Sequence, residues 1–354
     1  MRIKVEVIVK MIHTKHAKSF SGTMVVCSTI CAFLVLLIHS YNVPIYTDVT
    51  NPIVYWMQES VVHGIAAAAV PFFFMSSAFF LYSKSKSVKE VYISRFKSLV
   101  IPYLLWNTLS MICFTILKSL HLTSVGLDQF SITGILGGVF LHDYLAPYWY
   151  MLYLIVMVAI YPLLRWIISR NKIVCLAFLA ILILAHIFVT YSPSIRIDYS
   201  GSIVYYYIGA ILGYYYKDEV EKIPQLPQKR IFLFLATLLP IGILLFFVCN
   251  VWDIHLDFLR DIVSVSLIVL SVIGLNLQTP KFLVGLSFMI YSSHFIILES
   301  VEEVFYRLFP HNGLWMMVDF FVAPLITLGI ITVACHLLKK VCPKVYMILN
   351  GNRL

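Results

Sequence analysis

Ten stretches of this chain are almost uninterrupted apolar sequence, at roughly residues 24–42, 62–83, 99–120, 146–168, 173–191, 201–216, 231–250, 258–278, 283–301 and 316–338. Short segments carrying Lys and Arg separate many of them. A run of about 20 such residues is what a helix needs to cross hydrocarbon. Of the 354 residues, 61% are hydrophobic and only 12% charged, half of the roughly 25% charged residues of a soluble domain. A water-soluble globule of this length has no interior large enough for that much apolar surface. A β-barrel needs short segments of alternating polarity, and these segments are continuous. The expected class is therefore all-α, a polytopic protein of the lipid bilayer with about ten transmembrane helices. The segment at 201–216 is short for a span. The piece SITGILGGVFL (131–141) is too short and too rich in Gly to cross, and reads as an interfacial or re-entrant segment on the outer side.

Charge fixes the expected orientation. With the N-terminus in the cytoplasm, 22 of the 26 Lys and Arg residues fall on the inner side, and only Lys118, Arg196, Arg260 and Arg307 fall outside. Omitting one span would reverse every later loop and destroy this asymmetry, so ten spans with both termini cytoplasmic is the expected topology. The same reasoning accounts for the net charge of +9 as topogenic rather than nucleic-acid binding. Three parts follow: a basic cytoplasmic segment at 1–23, a transmembrane domain at 24–338, and a basic cytoplasmic tail at 339–354. The expected location is the cell (plasma) membrane.

The lead of 23 residues before the first span is long, and no small-x-small cleavage site follows, so that span reads as a retained helix. The seven Cys residues show no metal-like spacing and mostly lie within spans, where Cys behaves as a small buried hydrophobe. No disulfide, metal site or resident cofactor is expected. The inner loop KDEVEKIPQLPQKR (217–230) reads as a hinge or spacer. The sequence carries no internal repeat and no signal for oligomeric state.

Ionisable groups inside apolar spans are costly and mark function. The stretch FLVLLIHSYN (33–42) ends its apolar run in His39, near the outer face. In SFMIYSSHFIILES, His294 lies near the middle of the ninth span. Ser287, Tyr291, His294 and Leu298 share one helix face by their spacing, and Tyr291 and Ser287 are placed to orient the His294 ring. His186 and His336 have the bland surroundings of packing or interfacial residues.

Five stretches in this order, VLLIHS (35–40), VPFFFMSSAFFLY (70–82), SRFKSLVIPYLLWN (94–107), APYWYMLYLIV (146–156) and LSFMIYSSH (286–294), resemble the membrane-bound acyltransferase family three. These are bacterial integral-membrane O-acyltransferases that decorate surface sugars. The resemblance covers about residues 24–338. It implies transfer of an acyl group, most often acetyl, from acyl-CoA on the cytoplasmic side to a hydroxyl of a surface or lipid-linked carbohydrate. Acyl-CoA is then a donor substrate and the carbohydrate an acceptor.

That chemistry assigns expectations. His39 matches the family's first-helix His and is expected to be the base for the acceptor hydroxyl, or alternatively a transient acyl carrier. His294 is the second expected catalytic residue. Arg95, at the first Arg of the family's Arg-x-x-Arg, and Lys97 are expected to hold the donor phosphates. Ser76, Ser77 and Ala78 permit close helix approach and could shape a slot for the pantetheine arm. Tyr291, Ser287, Glu59 and Trp149 are expected on the substrate side. The loop YNVPIYTDVTNPIVYWMQES offers aromatic and amide groups suited to sugars or to an interfacial belt. Ser28, His39 and Arg95 are expected to line one continuous cavity.

Four positions depart from the family's pattern. Ser28 stands where an Arg is usual, three turns before the first-helix His. Ser98 replaces the second Arg of Arg-x-x-Arg, Ala78 the Gly of a Ser-Gly pair, and Leu152 an Arg common in close relatives. A Ser hydroxyl does not replace a guanidinium. A divergent enzyme, a non-catalytic relative, a glycan exporter and a structural subunit are the alternatives these departures leave open.

Overall fold

The computed structural model describes residues 19–46, 51–120, 126–127, 131–192, 200–250, 252, 256–277 and 281–353. The basic residues up to Lys18, and Arg196, lie outside the described residues. Every element among the described residues is helical. In chain order they are α1 (Phe20–His39), α2 (Pro52–Tyr82), α3 (Val88–Ser119), α4 (Ile132–Phe140), α5 (Ala146–Ala159), α6 (Tyr161–Ile168) and α7 (Lys172–Tyr191). Then come α8 (Ser202–Tyr215), α9 (Lys217–Lys222), α10 (Gln228–Asn250), α11 (Asp257–Gly274), α12 (Leu286–Leu308), α13 (Gly313–Val341) and α14 (Pro343–Leu349).

Each expected apolar stretch falls on helix, the one at 146–168 on the two helices α5 and α6. Six helices, α1, α2, α3, α7, α10 and α13, are long and apolar enough to cross a membrane alone, and α5 with α6 makes a seventh as a bent pair. The remaining three expected spans are α8, α11 and α12, which are shorter or carry more polar side chains. The protein is an all-α, multi-pass membrane protein. Apolar side chains on α7 (Leu176, Leu184, Phe188) and α10 (Leu233, Leu244, Phe247) face outward, as lipid-facing helices require.

Local sequence sets the ends and the irregularities. Ser19, Asn51, Asn171 and Asn312 cap α1, α2, α7 and α13 by accepting from the first free backbone N–H groups. Pro71 has no N–H to return to the carbonyl of Ala67, and α2 is irregular just before it, π-helical over Val61–Ile65 and 3₁₀ over Ala66–Ala68. Pro102 does the same to Ser98, and α3 widens into a π-turn over Phe96–Val100. Pro162 sits at the break between α5 and α6, which bend by 61°.

The centre of the fold is α2 against α8. Gly209 and Gly213 form a small-x-x-x-small pair on α8, and each lies directly on the α2 backbone, at Met75 and at Phe79. Ala78 is fully buried in this contact, so its small size serves helix packing. Helix α1 packs against α12, α2 and α11, and α12 against α13. Helix α4, the non-spanning 131–141 piece, lies on α3, with the Tyr103 hydroxyl donating to the Phe140 carbonyl at 2.8 Å. Two of the four cations expected on the outer side have acidic partners. Arg260 is paired with Asp257 at 2.8 Å and Asp261 at 2.9 Å, and Arg307 with Glu303 at 2.6 Å. All seven Cys residues are free thiols.

Candidate active site

The two helices that carry the intramembrane histidines are neighbours, and their rings meet. His39, in the last turn of α1, has its ring centroid 5.2 Å from that of His294 on α12. Phe295 closes on the His39 ring edge-on at 5.7 Å. His294 is fully buried and His39 half-buried.

The His294 ring has a defined tautomer. Its Nδ1 is 2.7 Å from the Tyr291 carbonyl oxygen and 3.2 Å from that of Ile290. Carbonyls only accept, so Nδ1 carries the hydrogen and the neutral ring keeps its lone pair on Nε2. Among the described residues that buried Nε2 has no partner. A buried basic nitrogen without a partner among the described residues, next to a second imidazole, is a group able to accept a proton.

The end of α1 is fixed by a polar network just beyond His39. The Ser40 hydroxyl donates to Phe320 O at 3.1 Å. The Asn42 amide donates to Asp319 at 3.1 Å and to Met316 O at 3.0 Å, and Gln58 donates to Asn42 Oδ1 at 2.7 Å. These buried bonds tie α1 to α2 and α13 and hold His39 in place.

On the other side of the histidines lies a cavity of about 180 Å³. Ser28, Ser77, Tyr150, Ser287, Tyr291 and Arg353 are among the residues that line it. Tyr291 connects it to the histidines, its ring centroid 6.1 Å from that of His294 and 5.5 Å from that of Tyr150. Ser28 precedes His39 by eleven residues on one helix, roughly 16 Å along the axis. The cavity thus sits about three turns to the expected cytoplasmic side of the histidine pair. A larger groove of about 390 Å³ between α2, α10 and α11 is lined mostly by apolar side chains such as Leu239, Ile243 and Phe246 and contains neither histidine.

The structure places the sequence-predicted residues as follows. Tyr291 and Ser287 line the cavity. Tyr291 orients His294, but through its backbone carbonyl, because its hydroxyl donates to Pro147 O at 2.6 Å. Arg95 is half-buried and its charge acts on Tyr150 and Arg353, whereas Lys97 is exposed. Trp149 packs edge-on against Tyr153 at 5.7 Å and leaves its neighbour Tyr150 facing the cavity. Glu59 lies at 3.2 Å from His63 and accepts from the Tyr41 hydroxyl at 2.5 Å, so the histidine it orients is His63, not His39. Of the three groups expected on one cavity wall, only Ser28 lines it. His39 stands beyond Tyr291 and His294, and Arg95 is not among the lining residues. Tyr150, Phe288 and Arg353 are lining residues that sequence reasoning missed.

A family model described as an acyltransferase domain, that of acyltransferase family three, matches residues 29–338. This chain belongs to that family. It is a membrane acyltransferase, and the match runs from the first helix, through the histidine pair, to the last turns of α13. Searches of curated proteins and of solved structures returned no match.

Proposed function

We propose that this acyltransferase moves an acyl group, acetyl in the simplest case, from acyl-CoA to a hydroxyl of a cell-surface or lipid-linked carbohydrate. The protein works in the plasma membrane, with ten spans and both termini cytoplasmic. The observation that carries this reading is the imidazole pair of His39 and His294, joined through Tyr291 to a cavity lined by Arg353. A hydroxyl acceptor arriving from the outer side meets a base. A thioester arm arriving from the inner side meets cations at its phosphate end.

In this reaction His39 takes the proton of the acceptor hydroxyl. The freed oxygen attacks the thioester carbonyl, the new C–O bond forms and the C–S bond breaks. The proton returns from the imidazolium to the leaving thiolate. His294 offers its Nε2 to the imidazolium of His39 during the step, which spreads the charge over two rings in a site with little water. Tyr150 and Ser77, whose hydroxyls are 3.3 Å apart, stand along the path of the arm and can donate to it.

Membranes holding the protein, given radiolabelled acetyl-CoA, test the reading. Label should enter a carbohydrate fraction and should not do so with His39→Ala. Equal labelling by wild type and His39→Ala would remove His39 from the chemistry, and absence of labelling with every acyl-CoA supplied would sink the proposal.

A further inference from the structure

The segment after α13 is packed against the helical bundle. Helix α14 packs on α3, where the Trp106 indole N–H donates to Leu349 O at 3.0 Å. Asn350, Gly351 and Asn352 then turn the chain back, with Gly351 at φ +62° and Asn352 at φ +56°. Gly351 lies against the Ser98 carbonyl, at the widened turn of α3, and beside the Pro102 ring. The Asn350 amide donates to Tyr346 Oη at 3.2 Å and to Arg353 O at 2.6 Å, and Arg353 Nη1 donates back to Asn350 O at 3.0 Å. The opposite side of the segment is met by Gly285, at the left-handed cap of α12.

This docking has one evident product. It carries the Arg353 side chain into the cavity, where the guanidinium carbon stands 3.8 Å from the centre of the Phe288 ring. Phe288 neighbours Ser287, and Ser28 lies across the same space. Among the described residues neither Arg353 nor Arg95 forms an ion pair. Loss of solvent, with the Arg95 charge nearby, pushes the Arg353 guanidinium down to about 10, so it stays charged at neutral pH. A guanidinium that lines a cavity with no ion-pair partner among the described residues is placed to receive an anion, and the phosphates of the donor are such an anion.

We propose that Arg353, delivered by the segment that follows α14, is a donor-binding residue that works with Arg95 on the phosphate groups of the acyl-thioester substrate. The inference rests on the acyl-transfer reading for the identity of the donor. It assigns a cation to the cavity that holds Ser28, and it places that cation in a segment that also covers the Ser98 carbonyl. Those are the two positions at which an Arg is missing from the family's pattern.

The test is binding of free coenzyme A to the full-length protein in detergent, measured by calorimetry for wild type, Arg353→Gln, Arg353→Lys and the double variant Ser28→Arg/Arg353→Gln. Thermal unfolding of each variant confirms that it is folded. Arg353→Gln should weaken binding by about tenfold or more, as loss of one charge-assisted contact does. Arg353→Lys should recover part of the loss. Ser28→Arg should recover it from the opposite wall. Binding in wild type should weaken with added pyrophosphate, which competes for the same cations. Unchanged or tighter binding by Arg353→Gln would overturn the inference, tighter binding marking Arg353 as a plug, while leaving acyl transfer intact. Normal Arg353-dependent binding without any transfer would do the reverse. Absence of binding by wild type would remove both.

Discussion

His294 keeps its lone pair on Nε2, in a ring whose centroid is 5.2 Å from that of His39, because the Tyr291 carbonyl, 2.7 Å from Nδ1, fixes which nitrogen is protonated. The tautomer is therefore set by the backbone of α12 and not by titration. A ring held this way cannot be replaced by a residue that only fills the volume. His39→Ala and His294→Ala should each lower turnover with acetyl-CoA by about 10²-fold or more, the scale of general-base contributions. His294→Asn can keep the bond to the Tyr291 carbonyl but has no basic nitrogen, so its turnover should fall as far as that of His294→Ala. Full activity in His294→Asn would show that the ring is only a strut. Thermal unfolding in detergent separates this loss from loss of fold.

The centre of the fold depends on two glycines. Gly209 and Gly213 let α8 lie on the backbone of α2, and a methyl group at either position meets the carbonyl of Met75 or Phe79 rather than a movable side chain. Gly209→Val should therefore force the helices apart and destabilise by ~2 kcal/mol, within the range for overpacking. Gly329 on α13 has open space around it and is the control. Gly329→Ala should raise the unfolding temperature slightly, since Ala is the better helix former by ~1 kcal/mol. Unfolding curves for the two variants that move in the same direction would contradict this account of the α2–α8 contact.

Much of this architecture was legible in the sequence, and the exceptions have physical causes. The helices coincide with the apolar runs, and His39 and His294 stood out as ionisable groups in apolar surroundings, which is a signal independent of tertiary contacts. Trp149 against Tyr150 was not legible. Adjacent residues on a helix differ by about 100° in direction, so a motif that names the neighbourhood does not say which ring faces the cavity. Arg353 was counted with the basic tail because a charge near the inner face has a sufficient topogenic explanation. The signal that could have separated it is the Asn350–Gly351–Asn352 run directly after an apolar helical segment, since such residues reverse a chain and Gly tolerates the left-handed conformation. Its destination, 253 residues from Gly351 at Ser98, is a tertiary fact that no local pattern encodes.

The acidic partners of the outer cations differ in environment, and their energetics should differ accordingly. Arg260 and Asp261 are each 7% exposed, and the Tyr205 hydroxyl also donates to Asp261 at 2.7 Å. Removing Asp261 leaves the buried Arg260 with only the more exposed Asp257 and leaves the Tyr205 hydroxyl without its acceptor, so Asp261→Ala should cost ~3 kcal/mol. The Arg307–Glu303 pair is solvent-exposed on both sides, and Glu303→Ala should change stability by less than ~1 kcal/mol. Chemical or thermal unfolding of the two variants, side by side at the same salt concentration, reads the contrast. Equal losses would mean that burial does not govern the Arg260 cluster.

Docking of the segment after α14 makes a last prediction, because it depends on backbone rather than charge. Gly351 sits at φ +62° with the Ser98 carbonyl against it, so any side chain there is both strained and crowded. Left-handed backbone costs a non-Gly residue roughly 1–2 kcal/mol. The anchoring bond from Trp106 to Leu349 contributes about 0.5–1.5 kcal/mol. Gly351→Val should thus release the segment while the helical bundle, whose core lies elsewhere, stays folded. Hydrogen exchange should show faster exchange in residues 343–353 and unchanged protection in α2 and α8. Coenzyme A binding should fall to the level of Arg353→Gln although no charge has been removed, and adding Arg353→Gln to Gly351→Val should cause no further loss. Additive losses from the two substitutions would mean that Gly351 and Arg353 act separately, and that the turn does not exist to present the guanidinium.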